Sequence, residues 1–192
     1  MSEMGLNAIG LKCSMEIRRP NQEDKEDFLQ MIAEFEAAGE VMHGGARTWE
    51  ACGENFEKWL VLLEQQEKED LLQNGHGRFI QFLSFEKGEL VGLSALRLED
   101  TDFVLNHVDH VGYATRPSQR GKGYAKKQLE LLVQKARKLG LSKLLLVCHK
   151  SNQASRQTIL STQATFEKSA NDYEYYWIEV TNEQSQTARM EI

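Results

Sequence analysis

The chain has 192 residues, 41% of them hydrophobic and 27% charged, with a net charge of -6. That suits one globular domain with a real core. The acidic balance argues against bulk nucleic-acid binding, and no apolar run approaches the ~20 residues that span a bilayer.

The N-terminus lacks a basic region followed by an apolar core, and the three cysteines, Cys13, Cys52 and Cys148, are odd in number and scattered. Both features point to reduced thiols in a cytoplasmic protein. Residues 1–13 show no period and read as a mobile extension, residues 14–181 as the domain, and residues 182–192 as a frayed tail. There are no internal repeats.

Met15 to Arg18 reads as the first strand. Asn21 can cap a helix whose inner face is Phe28, Met31, Ile32 and Phe35. Gly39 to Gly53 reads as irregular. Glu54 to Leu72 reads as a second helix with Phe56, Trp59, Leu60 and Leu63 inward. The acidic residues at its end read as a solvated face. Asn74 to Gly77 is a turn. Phe79–Phe85 and Leu90–Leu98 form a hairpin around Glu86-Lys87-Gly88-Glu89. Phe103 to Thr115 reads as one long strand, interrupted near Asn106.

Val111 to Leu139 is the most informative stretch. Val111–Thr115 is β-prone, and Pro117 blocks further pairing. Gly121 and Gly123 form a turn. Ala125, Leu129, Leu132, Val133, Ala136 and Leu139 then line one face of a helix that Gly140 stops. A glycine turn entering a helix N-terminus is an anion site, because the first N–H groups lack partners and the dipole is positive there. Arg116, Arg120, Lys122, Lys126 and Lys127 surround it. The pattern is not a Walker A loop, since Tyr124 follows Gly123. Nor is it a dinucleotide fingerprint, since Lys126 stands where the last glycine would fall. Leu144–Cys148 follows as a strand buried on both faces and completes a βαβ unit with the Val111 strand. Asn152 caps a helix to about Leu160, Phe166 lies in a short strand, and Tyr173–Val180 is the last.

RPSQRGKGYA, the helix after it, LLLVC and Asn152–Ser155 resemble the GNAT family of N-acetyltransferases. The resemblance runs from about Met15 to about Val180. It is nearest to a bacterial branch with a GHIGY-like strand before RPS, which here reads DHVGY, Asp109 to Tyr113. It implies an α/β (α+β) GNAT fold, a mixed central sheet of six to seven strands flanked by about four helices. The cofactor would lie between two splayed parallel strands. The implied activity is direct acetyl transfer from acetyl-CoA to a primary amine of a small molecule or peptide. The alternative is a non-catalytic coenzyme A-binding sensor or partner domain.

By the same resemblance, backbone groups of Tyr113, Ala114 and Thr115 would bond the pantetheine arm. Arg120, Gly121, Lys122, Gly123, Tyr124 and Ala125 would hold the pyrophosphate, with Asn152 and Ser155 also at the cofactor. Asp109 and His110 are the base candidates, and strand alternation would send them to opposite faces. His110 has the better pKa class, ~6.5. Where many members carry a tyrosine acid this chain has Ile159, so Tyr173 or Tyr175 would have to supply that proton. His107 and His110 do not make a metal site. Dimers are common in this fold, so a homodimer is an expectation by analogy.

Overall fold

A computed structural model describes residues 15–71, 75 and 77–180. The expectations for the N-terminal extension, the C-terminal tail and Asn74 lie outside the described residues. Seven strands form two sheets, one ordered β1-β2-β3-β4 and one ordered β5-β7-β6, and every ladder is antiparallel. They are β1 (Glu16–Arg18), β2 (Phe79–Glu86), β3 (Glu89–Arg97), β4 (Val111–Thr115), β5 (Lys143–His149), β6 (Thr165–Ala170) and β7 (Tyr173–Glu179). The helices are α1 (Lys25–Ala37), α2 (Ala46–Ala51), α3 (Phe56–Gln66), α4 (Asp102–His107), α5 (Tyr124–Lys138) and α6 (Gln153–Leu160).

The hairpin forms as its sequence requires. Lys87 and Gly88 both have positive φ, 53° and 81°, the conformation a two-residue turn needs to match strand twist. Along β2 the side chains alternate between two cores. Ile80 and Phe82 pack with Leu129 and Leu132 of α5, Leu144 and Leu146 of β5, Ile159 of α6 and Tyr176 of β7. Phe79, Leu83 and Phe85 pack with Phe28 and Met31 of α1 and Phe56 and Trp59 of α3. Each fully buried side chain of this kind contributes ~1.5–3 kcal/mol. In the second core Phe28 stacks on Trp59 at 4.3 Å, and the Trp59 indole donates to Thr48 Oγ1 at 3.0 Å, which ties α2 to α3.

Three expectations need correction. The second helix starts at Phe56, where Asn55 caps the Lys58 amide. It ends at Gln66, and Glu67 turns to a bidentate pair with Arg19. Leu72 lies outside the described residues. The glycine-rich segment holds a short helix, α2. Residues 103–107 are helical rather than extended, because Thr101 caps the Val104 amide and Val104 is buried beneath. The two six-residue helices, α2 and α4, bring the described helices to six where the sequence indicates about four.

Candidate active site

The site lies where the two sheets meet. Arg116 N–H donates to Val91 O, and Arg97 N–H to His110 O. Alternation along β4 therefore turns the backbone of Gly112 and Ala114 toward β3, and that of Val111, Tyr113 and Thr115 toward β5. The same reasoning applies to β5. Val180 N–H donates to Ser142 O and Lys150 N–H to Asp172 O, so Leu145, Val147 and His149 turn their amides away from β7, toward β4. The two edges face each other, yet among the described residues their backbones bond to each other at one place only. His110 N–H donates to Leu145 O at 2.9 Å, and Leu145 N–H donates to His110 Nδ1 at 2.9 Å. Beyond that point lies a slot with no backbone hydrogen bond across it among the described residues, although the Thr115 carbonyl accepts from Arg120 Nε at 3.3 Å and the His149 carbonyl from the Asn152 amide at 2.8 Å. An extended ligand carrying amides can complete such an edge as an added strand does.

The slot leads to the glycine turn. Gly121 and Gly123 have φ of 76° and 79°, and a Cβ on either would meet nothing within 4 Å. They serve conformation, not close packing. Among the described residues no carbonyl or side chain accepts from the N–H groups of Gly121, Lys122, Gly123, Tyr124 or Ala125. Five successive free donors at the head of a fifteen-residue helix make an anion cradle. Lys126 and Lys127 follow it in the first turn of α5 with only loose acidic neighbours, Glu130 and Glu86, each at 3.9 Å.

The arginines are committed more firmly. Arg116 is buried, 2.8 Å from Glu34, whose other oxygen accepts from the Ser118 amide at 3.0 Å. Burial works against the Glu34 charge, but these hydrogen bonds outweigh it and hold its pKa below the usual carboxylate value. Arg120 makes a bidentate pair with Glu40, at 2.9 and 2.6 Å, and that hydrogen bonding holds Glu40 low as well. Neither glutamate is marked by the sequence, because each pairs across eighty positions or more.

Asp109 and His110 precede β4 rather than lying on it, so strand alternation does not govern them. The Asp109 carboxylate pairs with Arg97 at 2.9 Å and faces the Val147 amide. Burial pushes its pKa up to about 6 against the pull of Arg97. His110 is 1% exposed, and both its nitrogens are engaged. Nδ1 accepts from Leu145, which leaves the proton on Nε2, 2.7 Å from Asp100. Burial lowers its pKa despite the pull of Asp100. Tyr173 is exposed at the end of β5 and β7, edge-on to His149 at 5.2 Å. Among the described residues its hydroxyl has no partner. Tyr175 is buried.

The Tyr113 hydroxyl lies 3.0 Å from Ser155 Oγ, which bridges β4 to α6, and burial pushes its pKa up to about 12. The Asn152 side chain caps the Ser155 amide at 3.0 Å. His107 closes α4 against Phe103, away from His110. Among the described residues no group of three or more His, Cys, Asp or Glu is placed to hold a metal, and no helix is long and apolar enough to cross a membrane.

Residues 14–164 match the family model of an acetyltransferase (GNAT) domain. No curated protein sequence matches the chain. Solved structures do. The ribosomal alpha-N-protein acetyltransferase RimL in complex with coenzyme A has a TM-score of 0.61 at 18% identity, covering 86% of this chain and 93% of that one. The microcin C7 self-immunity acetyltransferase MccE, in complex with acetyl-CoA and AMP, has a TM-score of 0.59 at 16% identity, covering 86% and 92%. The N-acetyltransferase PseH of Campylobacter jejuni has a TM-score of 0.52 at 14% identity, covering 86% and 97%. At these identities the likeness is one of fold.

Proposed function

The chain belongs to the GNAT family of acetyl-CoA-dependent N-acetyltransferases, and from that premise we propose that it transfers acetyl from acetyl-CoA to a primary amine of a small molecule or a peptide. The observation that carries this reading is the run of five unpartnered amides, Gly121 to Ala125, opening α5 at the end of an unfilled backbone edge. A diphosphate fits the cradle, and a chain with two amide groups fits the edge offered by Tyr113 and Thr115. Lys122, Lys126 and Lys127 add positive potential, and Arg120 joins them once Glu40 releases it. Asn152 and Ser155 shape the α6 side of the slot.

In the transfer the amine lone pair attacks the thioester carbonyl, the C–S bond breaks, and the amine proton leaves to solvent. We assign the base to no side chain, because His110 and Asp109 are committed to neighbours within the fold. Tyr173 keeps a free hydroxyl and is the candidate donor to the departing thiolate. The free thiols of Cys52 and Cys148 support a cytoplasmic setting.

A second reading, coenzyme A binding without turnover, is favoured by one observation. Ile159, 1% exposed, packs in the core at the position where the family tyrosine is expected. Thiol release from acetyl-CoA across peptides, amino acids, polyamines and aminoglycosides separates the two. Release with at least one amine is expected. Coenzyme A binding with no turnover across the panel would favour the sensor. N-terminal peptides come first in the panel, since one structural neighbour acts on a protein α-amine.

A further inference from the structure

Helix α5 meets the sheet through an apolar face that carries one buried polar side chain. Leu129, Leu132 and Ala136 are fully buried in the first core, and Gln128 beside them is 1% exposed. It stands one turn beyond Tyr124 and Ala125, on their face of the helix. Its Nε2 donates to the Leu93 carbonyl of β3 at 2.6 Å. That carbonyl points at β4, as does the Val91 carbonyl that accepts from Arg116. Gly92 makes room for the amide, since a Cβ there would stand 3.3 Å from Gln128 Oε1. Among the described residues Oε1 has no partner. Neither do the buried hydroxyls of Ser94, on the same face of β3 as Gly92, and Ser84, opposite Gly92 on β2. Burying a carboxamide for a single hydrogen bond gains little stability, because the unpaired oxygen loses its water. A methionine would fill similar space without that loss. What the amide adds is direction, which apolar contacts lack.

We propose that Gln128 is a positioning residue for the anion cradle: its bond to Leu93 fixes the first turns of α5 against β3, and with them the amides of Gly121 to Ala125. Leu129, Leu132 and Ala136 hold the helix on the sheet but resist small slides and rotations only weakly. The hydrogen bond has one favoured length and angle. The head of the helix is the end that needs such a tether. Gly123 supplies no capping side chain, and the bond from Lys127 N–H to Gly123 O is long, at 3.3 Å. Leu93 pairs with Ala114 in the β3–β4 ladder, so the tether refers the helix to a rung that β4 shares. The proposal rests on the acetyl-CoA reading only for what the cradle holds.

Gln128→Met keeps the length of the side chain and removes the donor. Hydrogen exchange at the Lys127 amide in the ligand-free protein is the first measurement, coenzyme A calorimetry the second, and steady-state kinetics the third, with urea unfolding beside them. Exchange at Lys127 should quicken by about tenfold, and coenzyme A should bind about five- to tenfold more weakly. The KM for acetyl-CoA should rise by a similar factor while kcat at saturation holds, and the urea midpoint should stay level or rise. A lower midpoint with exchange and affinity unchanged would make Gln128 a packing residue and overturn the proposal. So would a fall in kcat at constant KM. Gln128→Glu adds a pH signature and serves if Gln128→Met fails to fold. Its protonated carboxyl can donate to Leu93 O as the amide does, and its carboxylate cannot. Burial raises the pKa of such a group to as much as about 8–9. The coenzyme A affinity of this variant relative to wild type should therefore be near one at about pH 5 and fall by about tenfold or more by about pH 10. A ratio that stays flat across that range would overturn the tether. Failure of the wild type to bind coenzyme A would count against the functional reading alone, and exchange at Lys127 would still decide the role of Gln128.

Discussion

The segment from Gly39 to Gly53 and the turn from Arg120 to Tyr124 flank the same strand, and both are rich in glycine. In the turn, Gly121 and Gly123 look onto open space. In the segment, a Cβ on Gly44 would stand 2.8 Å from the Gly112 carbonyl oxygen, and one on Gly45 would stand 2.6 Å from a Leu93 methyl. One set of glycines leaves room for a ligand. The other lets protein backbone close against β4. Gln81 reinforces that closure by donating to Gly44 O at 2.8 Å. The turn after β4 therefore leaves its backbone amides without partners among the described residues, and the face of β4 under Gly44 is packed.

Breaking the packed side should have the largest effect. Gly44→Val combines a positive φ of 81° with a backbone clash, and strain plus overpacking should cost about 2–5 kcal/mol. Urea unfolding would show it as a fall in midpoint at constant m-value. A variant as stable as wild type would mean that the approach of Gly44 to Gly112 is not tight in solution. Gly123→Glu tests the open side. It should weaken coenzyme A by about a hundredfold or more, since a carboxylate at the cradle adds repulsion and removes the favoured conformation. Its stability should fall by only about 1–2 kcal/mol. Unchanged coenzyme A affinity by calorimetry would move the phosphates elsewhere.

The contrast also explains what could be read in advance. The turn announces itself because its function is local: two glycines, a proline and a helix face within one short stretch of chain. β2, β3, α5 and the caps at Asn21 and Asn152 are legible for the same reason. Phe103–Thr115 misleads because its apolar residues satisfy a strand pattern, while Thr101 supplies a cap that favours a helix. Glu34, Glu40 and the Leu145 contact of His110 depend on long-range approach, which no local pattern encodes. The separation into two sheets is hidden for that reason too: βαβ order predicts neighbours, and nothing local says how far they bond.

The two glycine segments touch at one polar contact, the pair between Glu40 and Arg120, and the smallest effect should be found there. The carboxylate takes the arginine that would otherwise join the phosphate cradle. Glu40→Gln should therefore tighten coenzyme A, by no more than about two- to fivefold, because an exposed, solvent-screened pair is weak. The sign of the pH dependence follows from the lowered Glu40 pKa. Above its ordinary value of 4.5 the carboxylate stays charged and the pair persists, so the affinity ratio of variant to wild type should be constant from about pH 8 to 5. Only as the pH falls through the lowered folded value, beneath 4.5, does the wild type gain a proton and lose the pair, and there its affinity should approach that of Glu40→Gln. Calorimetry from neutral pH down to below 4.5 reads both limits. Equal affinities at neutral pH would mean that Arg120 stays with the packed side of β4 and never reaches the phosphates. The anion would then rest on Lys122, Lys126, Lys127 and the five amides alone.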